Sequence, residues 1–159
     1  MANTPINISK LKIVLLEHVD TNMFKRTCVG CLVKSKNNQI VLQQRDGNCL
    51  SFPGCLATFG GGIEKGETPM EALIRELKEE LGAEVHASDV LSFGAITEAE
   101  TDYSEVIYVY FWHDKQGTIT GCYEGKAKYY KDIAEAETHP KIMNDVRWLL
   151  QVCKKRKLL

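Results

Sequence analysis

Residues 61–83 read Gly-Gly-Ile-Glu-Lys-Gly-Glu-Thr-Pro-Met-Glu-Ala-Leu-Ile-Arg-Glu-Leu-Lys-Glu-Glu-Leu-Gly-Ala, a glycine loop that runs into an acid-rich helix. Thr68 stands at the N-cap, Pro69 suits the first helical position, and Glu71 completes a capping box, so the helix start is specified three ways. Gly82 stops it. At about 100° per residue, Met70, Leu73, Ile74, Leu77 and Leu81 fall on one stripe that can pack against a sheet. Glu76, Glu79 and Glu80 share a different face. Carboxylates this close repel one another unless a multivalent cation or basic groups neutralise them. A hard, oxygen-seeking ion such as Mg²⁺ fits best, because it takes a few carboxylates, keeps several waters and leaves room for phosphate oxygens. The plain alternative is a solvated acidic helix face.

The spacing of the whole segment resembles the Nudix box, G-x5-E-x7-R-E-U-x-E-E-x-G-U with U aliphatic. The matching residues are Gly61, Glu67, Arg75, Glu76, Leu77, Glu79, Glu80 and Gly82, and only Ala83 departs, being small where the family usually has Ile, Leu or Val. The resemblance implies an α+β fold of the Nudix type, an α/β/α sandwich with a mixed sheet held between helices. It also implies a hydrolase for a nucleoside diphosphate linked to another group. Glu79 and Glu80 would then be metal ligands, with a carbonyl of Gly60 or Gly61 facing the same Mg²⁺ or Mn²⁺ ion. Glu76 would be a further ligand or the base that activates water, Arg75 would orient a neighbouring carboxylate, and Glu67 would bind metal indirectly or hold the loop. Arg75, Glu76 and Glu79 are accordingly the catalytic candidates. The chemistry agrees: attack on a pyrophosphate needs charge neutralised on bridging oxygens and a water made nucleophilic near neutral pH, and metal ions do both.

Composition narrows the class. The chain has 159 residues, 44% hydrophobic and 26% charged, which suits one globular domain over 1–159, with 1–22 as an N-terminal arm. A net charge of −1 leaves no electrostatic footprint for nucleic acid. The one basic run, Lys154 to Lys157, reads as a helix-end charge complement. No leader or bilayer-spanning stretch is visible, so the expected location is the cytoplasm, with free thiols and no membrane partner. Cys28 and Cys31 form a C-x-x-C pair, but no second pair stands at ligand spacing and 27–33 reads as a buried strand. A homodimer is compatible with all of this.

Segments 24–34 and 39–45 read as strands joined at a Lys36-Asn37-Asn38 turn, and 55–59 as a short strand before the helix. Segments 85–98 and 105–113 look like a long antiparallel pair. Gly117, Gly121 and Gly125 suggest a further hairpin, 132–138 a short helix, and 140–157 a helix with an apolar stripe. The start, 1–20, reads equally as an arm, an edge strand or a short helix.

Family members often recruit another acid from a later loop, which makes Glu98, Glu100 and Glu105, and Glu124 beyond them, weaker metal candidates. Arg45 reads as a phosphate contact or a surface ion pair, and Phe52, Tyr103, Tyr123 and Tyr129 as stacking surfaces or ordinary packing. No proline lies between Pro69 and Pro140, so the downstream proline that the family associates with ADP-ribose is missing. A nucleoside triphosphate or related nucleotide is the first expectation, a nucleotide sugar the next. A non-catalytic nucleotide-binding regulator and an isoprenoid diphosphate isomerase are the remaining alternatives.

Overall fold

The computed structural model describes residues 4–6 and 12–159, with side chains from residue 12 onward. Residues 1–3 and 7–11 of the expected N-terminal arm lie outside the described residues; within it, Thr4–Ile6 (β1) is an edge strand and Ile13–Leu16 (β2) pairs it to the rest of the sheet. The strands that follow are Arg26–Lys34 (β3), Ile40–Gln44 (β4), Leu56–Ala57 (β5), Phe59–Gly62 (β6), Val90–Glu98 (β7), Glu105–His113 (β8) and Lys126–Tyr130 (β9). Helices span Pro69–Leu81 (α1), Ile133–Ala136 (α2) and Asn144–Lys155 (α3). Among the described residues no helix is long and apolar enough to cross a membrane.

The strand order is β1-β2-β7-β8-β3-β4-β5, with β6 also pairing β3 and β9 pairing β4. Among the described strands of this mixed sheet β3 and β8 alone pair in parallel, in register from Arg26 opposite Glu105 to Lys34 opposite His113. β3 is apolar almost throughout because both of its faces are covered. Val29, Cys31 and Val33 pack with Leu73, Leu77 and Leu81 of α1, whereas Cys28 and Leu32 pack with Val146, Leu149, Leu150 and Cys153 of α3. β8 alternates in the same way, Tyr110 and Trp112 toward α1 and Val109 and Phe111 toward α3. The expected sandwich of helices on a mixed sheet is therefore present.

α1 begins and ends where its sequence predicts. Thr68 Oγ1 accepts from the Glu71 amide at 3.1 Å, Pro69 opens the helix, and Gly82 closes it in the left-handed region at φ 64°. Ala83 is buried beside Leu81 and Val85, so the small residue at the end of the motif fills a tight position. Two expectations fail. Residues 85–89 are not strand: Ala87–Asp89 is a single 3-10 turn, and Val85 imitates a strand residue because it is buried against α1. The glycines between 117 and 125 do not make a hairpin either, since β9 crosses to pair with β4, from Ile40 opposite Tyr130 to Gln44 opposite Lys126.

Candidate active site

The glycine loop and α1 meet because β6 lies against β3, with Gly60 opposite Gly30 and Gly61 opposite Val29. Gly60 has φ 151°, and a Cβ there would stand 2.0 Å from the Val29 carbonyl oxygen, so only glycine fits. A Cβ on Gly61 would stand 2.5 Å from Glu76 Oε1. The missing methyl is the space that brings the Glu76 carboxylate against the backbone.

Arg75 spends all of its donors on this assembly. Nε donates to Glu67 Oε2 at 2.7 Å, Nη2 to Glu67 Oε1 at 2.9 Å and to the Gly62 carbonyl at 3.0 Å, and Nη1 to Glu76 Oε1 at 2.8 Å and Glu79 Oε2 at 3.4 Å. These bonds hold Arg75 charged above its ordinary pKa, led by the one to Glu67, and the same bond holds Glu67 below its ordinary value. Glu67 also accepts the Glu64 amide at 2.7 Å. It is a brace for the loop.

Glu80 is only 1% exposed. It accepts from the Gly60 amide and from Gln43 Nε2, each at 3.3 Å, while Gln43 also donates to the Glu124 carbonyl at 2.9 Å. Burial first, then the charges of Glu124 and Glu76, push its pKa well above the carboxylate range. A cleft of about 450 Å³ opens beside these groups, lined on this side by Gly60, Gly61, Glu76, Glu79 and Glu124. A hollow of about 520 Å³ at the opposite ends of β3 and β8, lined by Lys34, His113 and Lys157 among others, contains no residue of the motif.

Another wall of the cleft is also acidic. Glu98, at the end of β7, is 1% exposed, and Asp145, in the first turn of α3, is 5% exposed. Asp145 accepts the Val146 amide at 2.9 Å. No hydrogen bond of ordinary geometry reaches either Glu98 oxygen among the described residues; the Asn144 side chain stands close enough only to soften the effect of burial. Burial, then the neighbouring Asp145, lifts Glu98 to about 8, and burial lifts Asp145 to about 6. Of the other weaker candidates, Glu105 lines the cleft 3.8 Å from Arg26, while Glu100 is turned aside to accept the Asn144 amide at 3.0 Å.

Arg45 lines the cleft and has no acidic partner among the described residues. It clasps the 46–54 loop through the Ser51 carbonyl at 3.0 Å and Ser51 Oγ at 3.3 Å. Of the four aromatic candidates, Phe52 lines the cleft, and Tyr103, Tyr123 and Tyr129 do not. Asp145 and Gln43 escaped the sequence reading: an acid in a first helical turn reads as a dipole complement, and a strand glutamine carries no pattern at all.

The donors fit a hard cation. Among the described residues no three His, Cys, Asp or Glu side chains converge as a closed metal cage. What is present is an open set of carboxylates beside a glycine cradle, in which Glu80 and Glu124 have no basic partner among the described residues, and this suits an ion that keeps much of its water.

The raised acids also set a pH dependence. A carboxyl whose folded pKa is raised keeps a proton that the unfolded chain gives up, so folding loses stability as pH rises from the unfolded value of 4.5 to about 8 for Glu98. Asp145 acts with the same sign between 3.8 and about 6, whereas the lowered Glu67 acts oppositely and only in acid. In chelator, the thermal midpoint of the wild type is expected to fall relative to Glu98→Leu between pH 5 and pH 8. A difference that stays flat over that range would reject the burial of an ionisable Glu98.

Comparison with known proteins agrees with this geometry. The family model described as NUDIX domain matches residues 24–149. An ADP-ribose pyrophosphatase of Methanocaldococcus jannaschii is 35% identical over 127 residues, covering 71% of this chain and 69% of the relative. The nucleoside triphosphatase NudI of Salmonella newport is 40% identical over 68 residues, 43% of this chain, and the match spans about half of that relative, 48%. Among solved structures, the MutT protein of Methanosarcina mazei superposes with a TM-score of 0.62 at 15% identity, covering 83% of this chain and 94% of that one, which is a likeness of fold.

Proposed function

Because this chain belongs to the Nudix family of hydrolases, we propose that it is a single-domain, Mg²⁺-dependent pyrophosphohydrolase of the cytoplasm that cleaves a nucleoside triphosphate or related nucleotide to a monophosphate and a phosphate-containing product. The observation that carries this is the meeting of Gly61, Glu76, Glu79 and Glu124 in one cleft, with Glu80 buried behind Gly60. Mn²⁺ is the natural substitute ion. The bound cation would be held by Glu76, Glu79, Glu80 and a Gly60 or Gly61 carbonyl, and would supply charge neutralisation and an acidified water.

The protein's own groups complete the reaction. A water oxygen attacks phosphorus, the phosphoanhydride P–O bond breaks, and its electron pair leaves on the departing phosphate oxygen. The proton lost by the water goes to a carboxylate facing the cleft, for which Glu76 is positioned by the Arg75 fork and the empty space at Gly61. Arg75 is a positioning residue. Glu67 fixes Arg75 in turn, and neither needs to touch substrate.

Arg75→Lys isolates that role, because an ammonium cannot span Glu67, Gly62 and Glu76 together. The kcat is expected to fall about 10- to 100-fold with little change in KM. An unchanged kcat would reject the orienting role.

A second reading, hydrolysis of ADP-ribose, is favoured by the ADP-ribose pyrophosphatase that matches 71% of this chain, and a nucleotide sugar remains the other alternative. A panel of nucleoside triphosphates, ADP-ribose, nucleotide sugars and isoprenoid diphosphates with Mg²⁺, read by product mass and by chromatographic separation of isomers, decides among these. Release of a nucleoside monophosphate is expected. Turnover of none of them would leave a nucleotide-binding regulator.

A further inference from the structure

We propose that Glu98 determines substrate specificity by accepting a hydrogen bond from the exocyclic amino group of the base, so that this enzyme prefers an amino-bearing nucleotide to its deaminated counterpart. The inference rests on the nucleotide-hydrolase reading of the same cleft.

Glu98 lines the cleft, is almost fully buried, and has both oxygens without a conventional partner among the described residues. Buried polar atoms are normally paired, and an exception at the edge of a cleft is explained most simply by a ligand that supplies the missing donors. The charges acting on Glu98 are those of Asp145, Glu100 and Glu105, none of which belongs to α1. Its companions are poorly placed to help it hold an ion: Asp145 is engaged by the Val146 amide, Glu100 by the Asn144 amide, and Glu105 faces Arg26. The acids around the glycine cradle and the acids around Glu98 are therefore two poles of one cleft, and a nucleotide has two ends. With phosphates at the first pole, the base falls to the second.

The other walls suit a flat ring. Phe52, Ile107 and Met143 line the same cleft, and Phe52 is held at φ 48°, uncommon for an aromatic residue, in a loop that Arg45 clasps at Ser51. A carboxyl oxygen accepts an N–H whether or not its twin carries a proton. An exocyclic amine offers that donor, whereas the ring carbonyl of its deaminated counterpart is repelled by the ionised carboxylate, so ATP is separated from ITP, GTP from XTP, and CTP from UTP. Sites built around such a bond discriminate far more strongly than apolar pockets do.

The test measures kcat/KM for ATP, ITP, GTP, XTP, CTP and UTP with Mg²⁺ at a pH above 8, where the carboxyl is ionised, on wild type, Glu98→Leu and Glu98→Gln, with the unfolding midpoint of each. For the best substrate, the wild type is expected to favour the amino-bearing nucleotide over its deaminated partner by about two orders of magnitude or more. Glu98→Leu should reduce that ratio to within a few-fold of one while its midpoint holds or rises, because an unpaired buried acid has been removed. Glu98→Gln keeps the size but adds an N–H donor that can pair with a ring carbonyl, so it should relax the preference with little change in the midpoint, which a purely structural role would not require. A wild-type ratio near one, a ratio unchanged in Glu98→Leu, or a shift only in the Mg²⁺ concentration needed for half activity would each overturn the proposal. Should Glu98→Leu not fold, the wild-type ratios and Glu98→Gln still decide. If the wild type hydrolyses none of these nucleotides, the nucleotide reading fails and the role of Glu98 fails with it, a result distinguished by the absence of any ratio to compare.

Discussion

Excess chelator is expected to extinguish hydrolysis, and Mg²⁺ or Mn²⁺ to restore it. Glu76, Glu79 and Glu124 face a cleft in which the nearest fixed cation of α1, Arg75, is already engaged by Glu67, Glu76 and the Gly62 carbonyl. A triphosphate brings several more negative charges to that side. At separations of about 4 Å, like charges repel by about 4 kcal/mol per pair near a protein surface, so this acidic side of the cleft opposes both binding and attack, although Arg26 and Arg45 line the cleft too. Residual turnover in chelator of more than about a tenth of the full rate would be worth less than about 1.4 kcal/mol of barrier, and would overturn the metal assignment.

Glu80→Gln is expected to lower kcat by about two to three orders of magnitude, the scale of removing one element of a preorganised electrostatic site. Glu79→Gln should fall in the same range. What makes Glu80 informative is the opposite effect expected on stability. Its carboxyl is buried, lies against the carboxyls of Glu124 and Glu76, and accepts long bonds from Gly60 and Gln43. The amide keeps the size and an acceptor oxygen while removing the repulsion, so the metal-free midpoint should hold or rise as activity collapses. A fall in both would make Glu80 a structural residue, and near-normal kcat in both variants would make the motif a relic.

Features governed by neighbours along the chain were legible in the sequence. The α1 boundaries follow from Thr68, Pro69 and Gly82, and the buried character of β3 follows from an unbroken apolar run. The turn at Asn38 follows too, since φ 62° there suits asparagine. The errors arose where partners are remote. Val85 looks like strand because α1 covers it, and β9 could not be assigned to β4 from the glycines before it. The cleft was half legible. The box announces Glu76, Glu79 and Glu80 by spacing, whereas the burial of Glu98 is created by α3 and the loop before it, and Asp145 resembles any acid at a helix start.

The parallel pairing of β3 with β8 has a consequence for how this chain acquires its activity during folding. Cys28 and Val106, 78 positions apart, come into contact only when a long loop closes, and that closure must be paid for in entropy before the strand pair rewards it. β6, which carries Gly60 and Gly61, is laid on the same central strand. The nascent glycine loop and its capped helix can form locally, but the cleft that gives them purpose waits for a pairing between strands remote in the chain. Upon dilution from denaturant, helical signal should therefore recover before the burial of Trp112 on β8, and catalytic competence should return with the tryptophan.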